Sequence, residues 1–189
     1  MALTESNMLP IGTVAPSFSL IDTVLDKTQS VNELFSDKAT VVMFICNHCP
    51  YVKAIKTRLT ADCRALAEYG INVIAIQSND TENYPDDSYQ RMVEEAKLYN
   101  FPFPYVLDDT QEVAKAYGAV CTPDFFGFNA NLELQYRGRF DAAGRGEPQA
   151  DNTRDLFNAM KMIAQTQQGP KEQIPSIGCS IKWFAQESI

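Results

Sequence analysis

Histidine is almost missing from this chain: His48 is the only one in 189 residues, and there is a single tryptophan. One histidine excludes paired imidazoles of the H-x-x-x-H kind, and no second C-x-x-C is present to complete a zinc knuckle. Positive charge is also sparse, with 16 Lys and Arg against 24 Asp and Glu and a net charge of -8. Those cations are scattered and form no basic run, which argues against nucleic acid and anionic membrane surfaces as main partners. Long apolar runs are absent as well. The longest, Val41 to Cys46, is strand-sized and far below the ~20 residues of a membrane span. The opening MALTESNMLPIGTVAP carries neither a basic leader nor an apolar signal core, so the expected compartment is the cytoplasm.

Nor is there an internal repeat, a low-complexity tract or a linker-like break. The expectation is one domain over residues 1–189, with a core at about 10–165 and a tail at 166–189 wrapping over it. Phe18 to Ile21 read as a first short strand, and Ser30 with Glu33 as a capping box opening a short helix. Ala39 to Ile45 is apolar and β-branched throughout, the pattern of a strand buried on both faces. A helix over about His48 to Tyr69 follows, with Val52, Ile55, Leu59, Cys63 and Leu66 on one face and Gly70 as its stop. Ile71 to Gln77 completes a βαβ unit. Further on come a helix within Asp86 to Asn100, a short strand at Tyr105 to Leu107 and a helix capped by Asp109 or Thr110. Two antiparallel strands then flank Asn129-Ala130-Asn131, with Leu132, Leu134 and Tyr136 alternating as in a half-buried strand. A last helix is expected near Asn152 to Gln165. The order predicts an α/β sandwich with a mixed sheet.

Two of the five cysteines and the sole histidine fall in CNHCPY, Cys46 to Tyr51. In a reducing compartment such a pair is more often catalytic or metal-bound than a lasting crosslink. The motif also sits where a buried strand ends and a helix begins, where unpaired N–H groups and the helix dipole favour a thiolate. Cys46, at the mouth of the helix, is expected to be the more accessible sulfur and the nucleophile, and Cys49, one turn in, the resolving thiol. Pro50 suits a first helical turn. His48 either lends charge or a hydrogen bond to the thiolates or is a solvated first-turn residue. Cys63 reads as a small buried hydrophobe. Cys121 and Cys179 are either packed thiols or auxiliary ones that accept the disulfide.

Strand, motif and helix together resemble the thioredoxin superfamily. GTVAPSFSL, with Gly12, Ala15, Pro16, Phe18 and Leu20, resembles the entry segment of its peroxiredoxin and redoxin branch. Thr122-Pro123 resembles the superfamily's cis-proline loop, and SIGCSIKW resembles the tails of a peroxiredoxin-like group with a thioredoxin-type C-x-x-C. The resemblance implies a three-layer α/β/α thioredoxin-like fold with an N-terminal extension and a C-terminal tail. It implies that Pro123 is cis and that Thr122 offers backbone groups to an extended partner peptide. It also implies thiol–disulfide exchange at Cys46 and Cys49 without cofactor or metal. The partner would be a disulfide-containing protein or small thiol, and the external reductant a thioredoxin or glutathione system. The alternatives are a thiol peroxidase using Cys49 or Cys46, a cysteine-based metal site, and a non-catalytic binding module. Cys49-Pro50 matches the peroxiredoxin cysteine and proline, but Cys46 stands where peroxiredoxins have threonine. Arg137 and Arg139 are the candidates for the peroxide-site arginine. Thioredoxin's tryptophan and buried acid are replaced by Ile45 and a strand with no acid, so no proton acceptor for Cys49 is evident.

Overall fold

In a computed structural model, residues 3–185 are described. In chain order the elements are β1 (Leu3–Glu5), β2 (Ser19–Asp22), β3 (Lys27–Ser30), α1 (Val31–Leu34), β4 (Ala39–Phe44), α2 (Pro50–Ala67) and β5 (Ile71–Gln77). There follow α3 (Tyr89–Tyr99), β6 (Tyr105–Leu107), α4 (Glu112–Ala116), β7 (Cys121–Thr122), β8 (Asp124–Asn129), β9 (Leu134–Gly138), α5 (Asp155–Thr166) and β10 (Ile177–Ser180). Seven strands form one mixed sheet in the order β3-β2-β6-β5-β4-β8-β9, with β4, β5 and β6 parallel to one another. Parallel central strands must be covered on both faces, and here they are. Val41 and Met43 of β4 point into a core with α2, α3 and α5, while Val42 and Phe44 point into a second core with α1 and α4. This is the thioredoxin-like three-layer fold.

The apolar face of α2 packs as its periodicity predicts, with Val52, Ile55, Leu59, Cys63 and Leu66 all buried. Its start differs from the expected His48. The backbone N–H groups of Asn47 and His48 donate to Asp87 (2.8 and 3.1 Å), so those residues are held outside the helix, and Cys49 becomes its N-cap with Pro50 first. The helix ends near Gly70, whose φ of +72° suits glycine. Strand β9 is wholly buried rather than half-buried, because the segment after α5 lies along it: Gln173 accepts from the Arg137 N–H at 2.7 Å and donates to the Gln135 carbonyl at 2.9 Å. Among the described residues no helix is long and apolar enough to cross a membrane.

The tail was expected to wrap over the body without a regular element. It does wrap, but it also carries β10, the centre of a second sheet in the order β1-β10-β7. Cys179 pairs with Thr122 and Ser180 with Cys121, both antiparallel. The Ile181 N–H donates to the Val120 carbonyl at 3.0 Å, and the Ser176 hydroxyl to the Pro123 carbonyl at 2.7 Å. Gly178 is required here, since a Cβ at that position would overlap the Thr122 carbonyl. Gly178→Ala is therefore expected to lift β10 off β7, accelerating exchange of the Ile181 amide hydrogen and lowering stability by roughly 1–3 kcal/mol, the usual cost of overpacking. Amide exchange read by mass spectrometry, beside a urea titration, measures both.

Candidate active site

Strand β4 delivers its last residues into the crevice at the carboxyl edge of the sheet, where open α/β folds place their chemistry. The loop that follows is fastened by Asp87, a fully buried carboxylate from the turn before α3. One of its oxygens accepts the N–H groups of Asn47 and His48; the other accepts from His48 Nδ1 at 2.5 Å and Asn79 Nδ2 at 3.0 Å. The His48 ring stacks on Tyr84 with centroids 5.0 Å apart. Asn47 is fixed on both sides, donating to the Asp86 carbonyl at 2.9 Å and accepting from the Tyr105 hydroxyl at 3.1 Å. His48 is thus not a solvated first-turn residue; its ring is a strut between loop and acid.

Thr122 faces the motif from the opposite side, and its bond to Pro123 is cis. Its hydroxyl lies 3.3 Å from Cys46 Sγ, and its carbonyl oxygen 3.1 Å from Cys49 Sγ. The sulfurs of Cys46, Cys49 and Cys179 lie near enough to shift one another's acidity. Both motif cysteines are buried, so Cys46 does not stand out as an accessible sulfur. Cys46 is 1% exposed and Cys49 0%, because the Asp87 turn and β10 close over them. The order of acidity is the reverse of that expected. Cys49 is brought down to about 4 first by the Cys46 hydrogen bond, against the cost of its burial, then by Cys179, the Val52 N–H and the Thr122 hydroxyl. Cys46 is driven well above the ordinary thiol range by burial, by its bond to Cys49 and by the Asp87 charge. Position adds to this: Cys49 stands at the N-cap of α2, whereas Cys46 lies in the loop two residues beyond β4, near the Asp87 charge.

Of the auxiliary candidates, Cys179 is held against Cys49, while the Cys121 thiol points to the Pro123 carbonyl at 3.7 Å. The backbone edge of Thr122, expected to receive a partner peptide, is occupied by the chain's own β10. Cys46, His48 and Asp87 bring ligand atoms within 4.8 Å of one another. Both Asp87 oxygens already accept two hydrogen bonds each, so a cation there would have to displace donors that hold the loop.

Residues 11–140 match the AhpC/TSA family. The chain belongs to that family. Two solved structures align over nearly their whole length: an uncharacterized conserved protein from Geobacillus kaustophilus (41% identity, 98% of each chain, TM-score 0.94) and a hypothetical protein from Sinorhizobium meliloti (39% identity, 96% of this chain and 99% of that one, TM-score 0.90). A peroxidoxin from Mycobacterium tuberculosis shares the fold at 16% identity, over 67% of this chain and 83% of that one, with a TM-score of 0.56. Comparison with curated proteins found no match.

Neither arginine considered for a peroxide site in this AhpC/TSA chain is directed at Cys46 or Cys49. Arg137 is fully buried, grips both oxygens of Asp124 (Nη2 to Oδ2 2.8 Å) and donates through Nε to the Asn7 carbonyl at 3.0 Å. Arg139 donates to Asp155 at 3.0 Å. The residue that the sequence hid is Asp87, which lies in a loop that reads as decoration and reaches the motif only through the fold. Asp87→Ala would strand two backbone N–H groups and the imidazole at once, an expected loss of about 3–5 kcal/mol. Urea unfolding of the reduced protein measures it, and a loss below about 1 kcal/mol, the worth of one ordinary hydrogen bond, would show that the loop stands without Asp87.

Proposed function

We propose that the chain is a thiol–disulfide oxidoreductase cycling Cys46 and Cys49 between dithiol and disulfide. The observation that carries this is the placement of Cys46 and Cys49 side by side at the start of α2, both against Thr122, with the Cys49 thiol pKa lowered and the Cys46 thiol pKa raised. Cys49 thiolate attacks one sulfur of a disulfide substrate; a mixed disulfide forms and the first thiolate leaves. Cys46 then gives up its proton to that leaving group and attacks the Cys49 sulfur. The second thiolate departs as the Cys46–Cys49 bond closes. The roles expected from the sequence are thus exchanged, because the thiolate is the nucleophile and the donors converge on Cys49. A dithiol or glutathione system must return the disulfide to its reduced form, and the reducing cytoplasm is the compartment that suits this cycle.

A second reading has its own support. Cys49 is followed by Pro50 and sits on the helix N-terminus in a member of the AhpC/TSA family. There its thiolate could attack the peroxide O–O bond, giving a sulfenic acid and an alcohol or water. Cys46 would then condense with the sulfenic acid, releasing water and forming the same disulfide. One experiment separates the two. Reduced protein is mixed with glutathione disulfide or with hydrogen peroxide, and thiol loss is followed in time. The exchange reading expects rapid disulfide formation with glutathione disulfide, abolished by Cys49→Ser and, in Cys46→Ser, passing through a glutathione adduct on Cys49 with no Cys46–Cys49 bond. Peroxide consumption much faster than that of an ordinary thiol, with sluggish disulfide exchange, would favour the peroxidase.

A further inference from the structure

We propose that Cys179 is a third redox thiol of the site, competing with Cys46 for the Cys49 sulfur. The inference rests on the dithiol reading above and extends it. Three features fix Cys179 in place. Strand β10 pairs Cys179 with Thr122, the residue that contacts both motif sulfurs. Its sulfur lies near enough to Cys49 for the two thiols to shift each other's acidity. The flanking residues leave it no freedom to withdraw: Gly178 packs against the Thr122 carbonyl, and Ser176 is bonded to the Pro123 carbonyl. Beyond β10, Lys182 closes the strap, its carbonyl accepting from the Asp80 N–H at 2.8 Å and its own N–H donating to Asn79 Oδ1 at 2.7 Å.

Cys49 therefore lies between two thiols, and two disulfides can be built on its one sulfur. The step that connects them is redox-neutral. Once Cys46–Cys49 has formed, the Cys179 thiolate attacks the Cys49 sulfur, the Cys49–Cys179 bond forms as the Cys46–Cys49 bond breaks, and Cys46 leaves with the electron pair. The proton lost by Cys179 ends on Cys46. The outcome is a regenerated Cys46 thiol and a tail covalently fastened to the start of α2. Cys121 takes no part, because its thiol is directed at the Pro123 carbonyl.

Disulfide mapping tests this. The protein is oxidised with graded glutathione disulfide, quenched in acid, alkylated, digested with trypsin without reduction and examined by mass spectrometry. Cys46 and Cys49 fall in one tryptic peptide, Ala39 to Lys53, while Cys179 falls in Glu172 to Lys182 and Cys121 in Ala116 to Arg137. In wild type the crosslink between the first two peptides is expected beside the Cys46–Cys49 bond. In Cys46→Ser it is expected to become the main fate of Cys179. Absence of that crosslink from both proteins, with only glutathione adducts or bonds to the Cys121 peptide, would overturn the proposal. A wild type that forms no Cys46–Cys49 bond at any ratio speaks instead against the dithiol cycle, so the two failures are told apart.

Discussion

The buried Cys49 sulfur, whose thiol pKa is lowered by its surroundings, is the constraint around which the site is arranged. An anion in a dry environment is costly unless hydrogen-bond donors meet it, and four converge here: the thiols of Cys46 and Cys179, the Val52 N–H and the Thr122 hydroxyl. Each comes from a different part of the chain: the motif loop, the tail, α2 and the strand before the cis-proline. The one nearby acceptor, the Thr122 carbonyl, serves the thiol form instead. Cys46 and Cys179 become weaker acids as Cys49 becomes a stronger one, first through burial and then through their interaction with Cys49, Cys179 being raised to about 11. Low and high values in one cluster divide the labour: one sulfur attacks, the others hold protons until they are needed.

The fold's contribution is to keep those donors still. Asp87 fixes the motif loop through two backbone N–H groups and the imidazole, and the buried Asp124–Arg137 pair ties β8 to β9 directly beyond the cis-proline. The small sheet β1-β10-β7 then seals the site from the side where a partner strand would otherwise enter. A site built this way is closed to large extended partners while β10 is in place. That closure gives the tail a direct bearing on what reaches Cys49.

Much of this was legible beforehand, and the reason is local. The apolar run Ala39 to Ile45, the face Val52 to Leu66 and the capping residues Ser30 and Glu33 each state their structure within a few positions. Cys46, Cys49, Thr122 and Pro123 come together as the motif and its likeness to known redoxins imply. What escaped depends on distant contacts. β1 and β10 are short strands of a small second sheet with no apolar alternation to reveal them. Asp87 acts forty residues from the loop it holds. Arg137 alternates like a surface residue, yet it is buried because Asp124 and the tail enclose it. The start of α2 was also misplaced, since Asp87 holds Asn47 and His48 outside the helix and shifts that start by two residues.

Ultraviolet thiolate absorbance of the reduced protein across acid and neutral pH addresses the central charge most directly. The account predicts one thiolate per chain appearing near pH 4, lost in Cys49→Ser and moved toward higher pH in Cys46→Ser, where the strongest donor is replaced. The contribution of that charge to the stability of the reduced fold, read as the difference between wild type and Cys49→Ser, should be fully present above the ordinary thiol value of 9 and lost as pH falls toward 4, because the folded value lies below the unfolded one. Absorbance that appears only near 9, or a low-pH thiolate that survives Cys49→Ser and vanishes in Cys46→Ser, would contradict it.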